Sequence, residues 1–481
     1  MHSTITLTAL AMLASSALAE TVHGVVVYSR HGDRTTKHYG SQMLTDLGAQ
    51  QNFQVGSAYR SRYLTSSSPQ HIAGISPDKY VPGQIYASAP DQSILLNTAT
   101  AFLQGLYPPL VGRVDDSVAS TTLNNGSRSV SPLGGYQYVL LHGKSADSPD
   151  AVWIKGDDGC PTNAAAAKSF FQSEQFSQTD RATRDFYGRL YDVLAGDVYD
   201  LKREDMTYRN AYDIYDLINV ARIHNGSSPA RNVSAQDLQQ LRTLADSAEF
   251  GYNFNASQPA RNIHGRTLAA GLLRQLNQTV ATKATLKFSL LAGSYDTFQS
   301  FFGAAGLTSL SDDFFGLPDY ASTMAFELFS NDDDDDDDDA AFPAEDSLRV
   351  RFLFRNGTDG AFDAFPLFGS GEESLPWARF SREMEGRSIV TTAEWCGVCE
   401  SKMAFCAAFN GDGGSVAASQ GGGGGWSGMS NAVAGVVGAL VALAAAGLVG
   451  GVAFMVSRRR RSKTVVTEVR SDKLSDKGSV V

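Results

Sequence analysis

Apolar and polar positions along the chain follow alternating strand and helix periods. The β-branched run VVV predicts a strand over 24–29, and apolar positions at helical spacing predict a helix over 44–64. A second strand is expected from residue 83, followed by a helix over 93–105. The apolar side chains that the first helix should bury are Leu44, Leu47, Phe53, Val55 and Tyr59.

The middle of the chain has a different pattern from its two flanks. Residues 164–220 and 234–276 have helical spacing and few strand signals. The elements expected after them are strands over 286–291, 321–329 and 348–356 and a helix over 297–305. Strands that alternate with helices on both sides of a helical block indicate an α/β fold. We expect one sheet with an inserted, mainly helical subdomain at about 160–280.

Two apolar segments flank this domain. Residues 1–19 have a short apolar stretch and a small-residue ending, ALA, which predicts a cleaved signal peptide rather than a buried helix. Residues 432–456 carry no charge over 25 positions, and four arginines follow. This length spans a bilayer, and the polar tail at 457–481 distinguishes the segment from a glycolipid-anchor signal. We predict a single-pass type I membrane protein of the secretory pathway, with residues 20–411 extracellular or lumenal and the tail cytosolic.

Sequons and cysteines agree with this placement. Six Asn-x-Ser/Thr sequons lie between the two apolar segments, at Asn125, Asn225, Asn232, Asn255, Asn277 and Asn356. Four cysteines suggest two disulfides, with three connectivities open: Cys160, Cys396, Cys399 and Cys406. Cys396 and Cys399 form a CxxC that could hold zinc or do redox chemistry, but neither a second CxxC nor a nearby histidine completes a zinc site.

Charge and low-complexity segments add less about function. The net charge is −11, and eight consecutive aspartates at 332–339 supply most of it, as a solvated loop rather than a calcium site. Residues 412–431 are rich in Gly and Ser and predict a flexible stalk. No basic patch outside the tail suggests a nucleic-acid partner. Gly447 and Gly451 have the spacing of a helix-dimer motif, so a homodimer is possible, although the span's composition makes chance the simpler explanation.

Three charged side chains follow the first predicted strand: Arg30, His31 and Arg34. Ligands of α/β sheets bind at the carboxyl ends of the strands. Arginine forks match phosphate oxygens, and a neutral imidazole is a competent nucleophile, so the cluster favours a phosphoryl site over an arginine-rich surface turn.

These residues resemble the signature of the histidine acid phosphatases, the branch of the histidine phosphatase superfamily that includes fungal acid phosphatases and phytases. RHGDRTT is similar to the family pattern RHGxRxP. LTDLGAQQ, SAPDQSILLNTATAFLQGLYPP and NAYDIYDLINVARIHN resemble later family blocks in the same order, over about residues 22–406. The resemblance implies a phosphoglycerate mutase-like fold, in which a central, mostly parallel sheet is flanked by helices.

Carried over to this chain, the resemblance implies roles for four residues. His31 would be the nucleophile that becomes phosphorylated, and Arg30 and Arg34 would bind the phosphate. Asp296 would protonate the leaving group, although an aspartate at such a junction is also a common helix N-cap. The resemblance implies neither a cofactor nor a metal.

Three positions depart from the family pattern. Thr36 stands where proline is usual, Gln92 where the family has a phosphate-binding arginine, and Tyr295 where it has a phosphate-binding histidine. Losing a charged hydrogen bond typically costs about 1.5 to 3 kcal/mol. Gln92 and Tyr295 can still donate hydrogen bonds, so a weaker or altered phosphate pocket is expected.

Two functional classes follow. The first is a membrane-anchored extracellular acid phosphatase that hydrolyses a small phosphomonoester through a phosphohistidine. The second is a phosphatase-fold protein with weak or no turnover that binds phosphorylated ligands. A phosphoglycerate mutase-like transferase suits a cytosolic protein better. Arg34→Lys tests the site, since a phosphate-binding Arg34 should lose anion binding, whereas a structural Arg34 tied to a buried carboxylate should lose stability.

Overall fold

The computed structural model describes residues 20–194, 199–331 and 342–409. The strands in these ranges are β1 Glu20–Arg30, β2 Ile85–Pro90, β3 Ser120–Thr122, β4 Arg128–Val130, β5 His142–Lys144, β6 Phe288–Gly293, β7 Thr323–Asn331, β8 Arg349–Arg355, β9 Asp363–Ala364 and β10 Ser374–Pro376. The helices are α1 Asp46–Tyr63, α2 Ser93–Leu106, α3 Asp116–Ala119, α4 Pro132–Gly135, α5 Pro161–Lys168, α6 Glu174–Val193, α7 Ala211–His224, α8 Ala235–Asn253, α9 Ile263–Ala281, α10 Tyr295–Ala304, α11 Trp377–Arg387 and α12 Thr392–Cys399.

Several predicted segments lie outside the described residues. They are the signal peptide, the aspartate run, the stalk, the membrane span with its glycine pair, and the cytosolic tail. No helix within 20–194, 199–331 or 342–409 combines the length and the apolar composition that a membrane crossing needs.

The main sheet is mixed, with a parallel core. Its strands follow the order β10, β8, β7, β1, β6, β2, β5, and β9 pairs with β8. β1 is parallel to β6, β6 to β2 and β2 to β5, whereas β7, β8, β9 and β10 add antiparallel pairs on the other side of β1. The expected α/β fold class is confirmed.

Both faces of the sheet are buried, because successive side chains of β1 enter two different cores. Val25 and Val27 pack with residues of α1 and α2, whereas Val26 and Tyr28 pack with residues of α9 and α10. A strand that is covered on both faces is mostly apolar, which explains the run from Val25 to Tyr28 in β1. The sheet therefore buries β1 and leaves its carboxyl end as the place where polar side chains collect.

The helical insertion has a core of its own. Helices α5 to α9 lie between β5 and β6 in the chain, and α6, α7 and α8 enclose a separate apolar cluster that includes Tyr187, Ile214 and Leu241. By contrast, α9 packs Leu268 and Leu272 against the sheet. The insertion thus reaches the sheet through α9.

Two disulfides lie near the C-terminal end of the described residues. Cys160 pairs with Cys399, 239 residues away, and Cys396 pairs with Cys406. The prediction of two disulfides is confirmed, and the CxxC cysteines belong to different bridges. The first bridge ties the start of α5 to the end of α12, which fixes the entry of the helical insertion to the C-terminal helices.

The first helix forms where it is predicted, but one side chain was assigned to the wrong face. α1 buries Val55 and Tyr59, and Leu44 and Phe53 are half-buried, whereas Leu47 is 43% exposed. The expectation that Leu47 is buried is wrong, because the face of α1 toward the protein at its first turn carries Gly48. Glycine there allows a close backbone approach that an apolar count does not detect.

Candidate active site

The site lies at one edge of the sheet, where the parallel strands end. Arg30 is the last residue of β1 and lies opposite Gly293, the last residue of β6. The His31 amide donates to the Gly293 carbonyl oxygen at 3.3 Å. Tyr295 and Asp296 follow Gly293 by two and three residues, so the pairing of β1 with β6 brings this part of the chain to the RHG turn.

His31 has one ring nitrogen engaged and the other available. Nδ1 lies 2.8 Å from the Gly32 carbonyl oxygen, and because a carbonyl can only accept, Nδ1 carries the proton. In the neutral ring Nε2 then holds the lone pair. Burial holds the pKa of His31 well below its usual range, and the guanidinium groups of Arg30 and Arg34 act in the same direction. The ring therefore stays neutral at pH values where an ordinary histidine becomes protonated, and its Nε2 makes no hydrogen bond to the described residues.

Arg30 is the cation at the carboxyl end of β1. It is 5% exposed, its Nη1 donates to the Pro318 carbonyl oxygen, and it forms no salt bridge within the described residues. Its guanidinium carbon lies 4.8 Å from the ring centre of Tyr320 and 5.2 Å from that of Tyr295. Its Nε is buried without a partner in the described part of the chain, which leaves a donor for an anion.

Arg34 is held by a buried carboxylate. Its two terminal nitrogens lie 2.9 and 3.1 Å from the oxygens of Asp216, and they also donate to the Tyr212 hydroxyl and the Thr35 carbonyl at 2.9 Å. Only Nε lacks a partner among the described residues. This arrangement is the one expected of a structural arginine, and it leaves Arg34 a single N–H for any ligand.

Asp216 also explains the threonine at the usual proline position. The Thr36 hydroxyl donates to Asp216 Oδ2 at 2.9 Å, and the Lys37 amide donates to the same oxygen at 2.9 Å. A proline at position 36 could not make the first of these bonds. Asp216 is only 3% exposed and thus anchors Arg34, Thr36 and Lys37 to helix α7.

Helix α1 fixes the backbone of the RHG turn. A Cβ on Gly32 would lie 2.3 Å from the carbonyl oxygen of Gly48, so both glycines allow the turn and the helix to touch. Asn52 accepts from the Gly32 amide at 2.7 Å and donates to the Arg30 carbonyl at 3.2 Å. Gln51 accepts from the amide of the residue after Gly32 at 2.7 Å. The LTDLGAQQ block is therefore the support of the turn.

Tyr295 turns its hydroxyl away from the arginines. The hydroxyl donates to Glu249 at 2.8 Å and accepts from the Lys37 ammonium at 3.1 Å. Burial raises the pKa of Tyr295 and of Glu249 and lowers the pKa of Lys37. The Tyr295 ring, which lies 4.8 Å from the ring of Tyr212, contributes its face to the site, while its polar end belongs to the Lys37 and Glu249 network.

Asp296 is a carboxylate at the start of α10. Its Oδ1 accepts from the Thr297 amide at 2.9 Å, so it satisfies one N–H of the first turn, although the N-cap is Ser294. Burial raises the pKa of Asp296, but Lys155, His264, Lys37 and the Thr297 amide outweigh it and lower that pKa to about 2. Asp296 is thus ionised in the unliganded protein.

Gln92 lies apart from this cluster. It follows β2, which is separated from β1 by β6, and it is exposed at the start of α2. Among the described residues its side chain makes no hydrogen bond, and it does not line the cavity beside Arg30. The structure brings together Arg30, His31, Arg34 and Tyr295. In the described part of the chain, the Gln92 side chain makes no hydrogen bond to any of them.

A cavity of about 410 Å³ opens beside Arg30. Besides Arg30, its lining includes Tyr212, Tyr215, Asp216, Arg242, Asp319, Tyr320 and Asp359. Of the residues expected at the site, Arg30 belongs to this lining, whereas His31, Arg34, Tyr295 and Asp296 are not among the lining residues. The described residues contain no group of three or more His, Cys, Asp or Glu side chains that could hold a metal ion.

Three functional-site residues were not recognised from the sequence: Lys37, Asp216 and Glu249. Lys37 lies three residues after Arg34, and that proximity is a signal which could have found it. Asp216 lies within the block NAYDIYDLINVARIHN, where its helical position alone does not show that it faces the RHG turn. Glu249 has no local signal, because its partner Tyr295 is 46 residues away.

Comparisons with known proteins identify the family of the chain. The model of the histidine phosphatase superfamily (branch 2) matches residues 38–354. Lysosomal acid phosphatase of Xenopus laevis is 24% identical over 323 residues, which cover 64% of this chain and 66% of that protein. Human prostatic acid phosphatase is 22% identical over 400 residues, which cover 80% of this chain and 89% of that protein.

Solved structures are similar in fold. The phytase of Klebsiella sp. ASR1 superposes with a TM-score of 0.51 at 13% identity, covering 77% of this chain and 96% of that chain. The phytase of Citrobacter braakii superposes with a TM-score of 0.50 at 12% identity, covering 77% and 98%. At these identities the likeness concerns the fold alone.

Proposed function

Because the chain belongs to branch 2 of the histidine phosphatase superfamily and is related to acid phosphatases, we propose that it hydrolyses phosphomonoesters. The single observation that carries the proposal is the state of His31. A neutral ring with Nδ1 protonated, beside an arginine that has no carboxylate partner in the described residues, is ready to attack a bound phosphoryl group.

The phosphate would be held by donors that are now unsatisfied. The Nε groups of Arg30 and Arg34 are buried without partners among the described residues, and a buried donor without an acceptor costs about 1 to 3 kcal/mol. Phosphate oxygens that accept from these groups would remove that cost. Arg30 would contribute most, since Arg34 already serves Asp216.

The reaction has two steps. His31 Nε2 attacks phosphorus, and the ester bond breaks as the alcohol leaves with a proton from Asp296. Water then attacks the phosphohistidine, gives a proton to the Asp296 carboxylate and releases inorganic phosphate and the neutral His31. The ring face of Tyr295 would form one wall of the phosphate site. Gln92 would contact only a substrate group that extends to the end of β2.

Asp296 needs a raised pKa to serve as the acid. In the unliganded protein Lys155 and other cations keep that pKa at about 2. A bound phosphoryl group adds negative charge, which acts against these cations and favours the protonated form. The proton required for the leaving group would therefore be acquired with the substrate, which favours turnover at acidic pH.

Asp296→Asn should affect substrates according to their leaving groups. An alkyl phosphate has a poor leaving group and needs the proton, so kcat should fall by about a hundredfold, a typical loss for a general acid. An aryl phosphate leaves as a stabilised phenolate, so its kcat should fall much less. Steady-state kinetics with both substrates measure this difference. Equal losses would show that Asp296 acts through structure.

The second candidate function is binding of phosphorylated ligands without turnover. Its support is the capture of Arg34 by Asp216 and the exposed position of Gln92, which leave fewer cations on a phosphate. Phosphate release from an aryl phosphate by the full chain at acidic pH separates the two functions. If the full chain releases no more phosphate than an inactivated sample does, the result supports binding without turnover.

We also propose that the domain is secreted and anchored by residues 432–456. The two disulfides and the lysosomal acid phosphatase relatives suggest the secretory pathway. The 25 uncharged positions and the four arginines that follow support a stop-transfer segment.

Anchoring predicts different fates for two forms of the protein in secretory cells. The full chain should stay with membranes after alkaline carbonate extraction, whereas a chain ending at residue 411 should appear in the medium. Fractionation followed by immunoblotting checks both. Release of the full chain by carbonate would contradict the anchor.

A further inference from the structure

The walls of the cavity beside Arg30 hold more carboxylates than cations. Its charged lining residues are Arg30, Arg242, Asp216, Asp319 and Asp359. Formally these are two positive and three negative charges. The lining of this cavity is therefore acidic on balance, and of its two cations Arg30 is the one that forms no salt bridge among the described residues.

The second cation of the cavity is already neutralised. Arg242 lies 2.9 Å from Asp246 and 3.1 Å from Asp319, and it also donates to the Leu317 carbonyl oxygen and, at 3.3 Å, to the Tyr215 hydroxyl. These contacts engage the guanidinium nitrogens of Arg242 within the protein. Arg242 thus offers little to a further phosphate on a substrate.

The carboxylates are not neutralised to the same degree. Asp216 is paired with Arg34, but Asp359 is exposed and forms no salt bridge within the described residues. The nearby Arg355 interacts electrostatically with Asp359, but its guanidinium donates to the carbonyl oxygens of Gly357 and Thr358 and forms no salt bridge with Asp359 among the described residues. Asp359 therefore projects its charge into the cavity that holds Arg30.

The adjoining cavity extends the same charge pattern. Its volume is about 960 Å³, and it shares Arg242, Leu317, Asp319 and Asn356 with the first. Its charged lining residues are Arg242, Arg261, Asp246, Asp312, Asp313 and Asp319. Arg261 donates to the carbonyl oxygens of residues 166 and 251 and to two side chains, so it too is occupied.

We propose that the site selects phosphomonoesters whose alcohol carries no negative charge, and that Asp359 sets this preference by repelling anionic leaving groups. The proposal rests on the proposed hydrolase function. One phosphoryl group is matched by Arg30, and the rest of the substrate would lie against tyrosines and carboxylates. Cationic and neutral alcohols fit that surface, whereas a second phosphate or a carboxylate does not.

Three alkyl phosphates of similar size test the preference. Phosphoethanolamine, glycerol phosphate and phosphoglycerate have leaving groups with charges of plus one, zero and minus one. The full chain should show kcat/KM in that order, with the anionic substrate about tenfold below the neutral one at low salt, and the difference should shrink at high salt. An equal or higher kcat/KM for phosphoglycerate would overturn the proposal.

Asp359→Lys should raise kcat/KM for phosphoglycerate about tenfold relative to that for glycerol phosphate, because the lysine attracts the anionic leaving group in addition to the phosphoryl group that both substrates carry. Asp147→Lys makes the same change of charge at an exposed aspartate that lines neither cavity, and it should leave the order unchanged. An unchanged order in Asp359→Lys, or the same shift in both variants, would overturn the role of Asp359.

Binding separates this proposal from the hydrolase function. If no substrate turns over, the hydrolase function fails, and calorimetry with inorganic phosphate and with tripolyphosphate still tests the charge preference. The acidic walls predict that tripolyphosphate binds no tighter than phosphate to the wild type, and tighter to Asp359→Lys. Tighter binding of tripolyphosphate to the wild type would overturn the preference.

Discussion

His31→Ala should abolish phosphate release from an aryl phosphate, with kcat lower by at least about a thousandfold, as expected when a nucleophile is removed. His31 Nε2 is the only ring nitrogen of this side chain free to attack, because Nδ1 is bound to the Gly32 carbonyl. The wild type should form a phosphoryl-enzyme that is labile to acid and stable to alkali, and the variant should not. Rapid quench with labelled substrate checks both forms.

The control for this loss is His142→Ala, which removes an exposed histidine of β5. Its turnover should equal that of the wild type. Because the pKa of His31 lies well below its usual range, wild-type turnover should also persist in acid without the loss that protonation of an ordinary histidine would cause. Trapping of a phosphoryl group on His31→Ala would contradict the assignment of the nucleophile.

Arg34→Lys should lower both stability and anion affinity. A lysine cannot span both oxygens of Asp216 and also reach Tyr212, and the lost charged hydrogen bonds should reduce the free energy of unfolding by about 2 to 3 kcal/mol. It also lacks the Nε donor, so the dissociation constant of vanadate should rise about tenfold, equivalent to about 1.4 kcal/mol. Thermal unfolding and vanadate titration measure the two effects.

Asp216→Asn separates the two roles of Arg34. It leaves a buried guanidinium without its counter-charge, which should cost about 3 to 5 kcal/mol of stability. Vanadate affinity should hold or increase, since the site loses a negative charge. Glu327→Gln, at a buried carboxylate that pairs with Arg62 and Arg351, should cost stability with no effect on vanadate. If Arg34→Lys loses stability while its vanadate affinity is unchanged, Arg34 is structural only.

The sequence predicted the elements better than the faces that they present. The strands and helices expected around the site all form, and both disulfides were expected from an even cysteine count in a secreted chain. Leu47 is an exception, because it is exposed. Helical spacing identifies an apolar stripe, but the glycine contact between α1 and the RHG turn decided which part of that stripe is buried.

The departures from the family pattern needed the structure to be interpreted. The sequence does not explain why Thr36 replaces the usual proline. The structure does, because the Thr36 hydroxyl donates a hydrogen bond to Asp216, 180 residues away. Tyr295 can donate a hydrogen bond, as expected, but it gives that bond to Glu249. Gln92 follows β2, as expected, but its side chain is exposed at the start of α2, where it makes no capping hydrogen bond.

By itself the sequence determined the order of strands and helices, and it placed Arg30 and His31 at a strand end, because residue periods and turn residues act between neighbours in the chain. Only the tertiary structure decided that Arg34 pairs with Asp216, that Cys160 pairs with Cys399, and that Asp359 shares a cavity with Arg30. Such pairs depend on which faces of distant elements meet. That choice is made by the packing of the whole chain, to which every element contributes, and no local pattern records it.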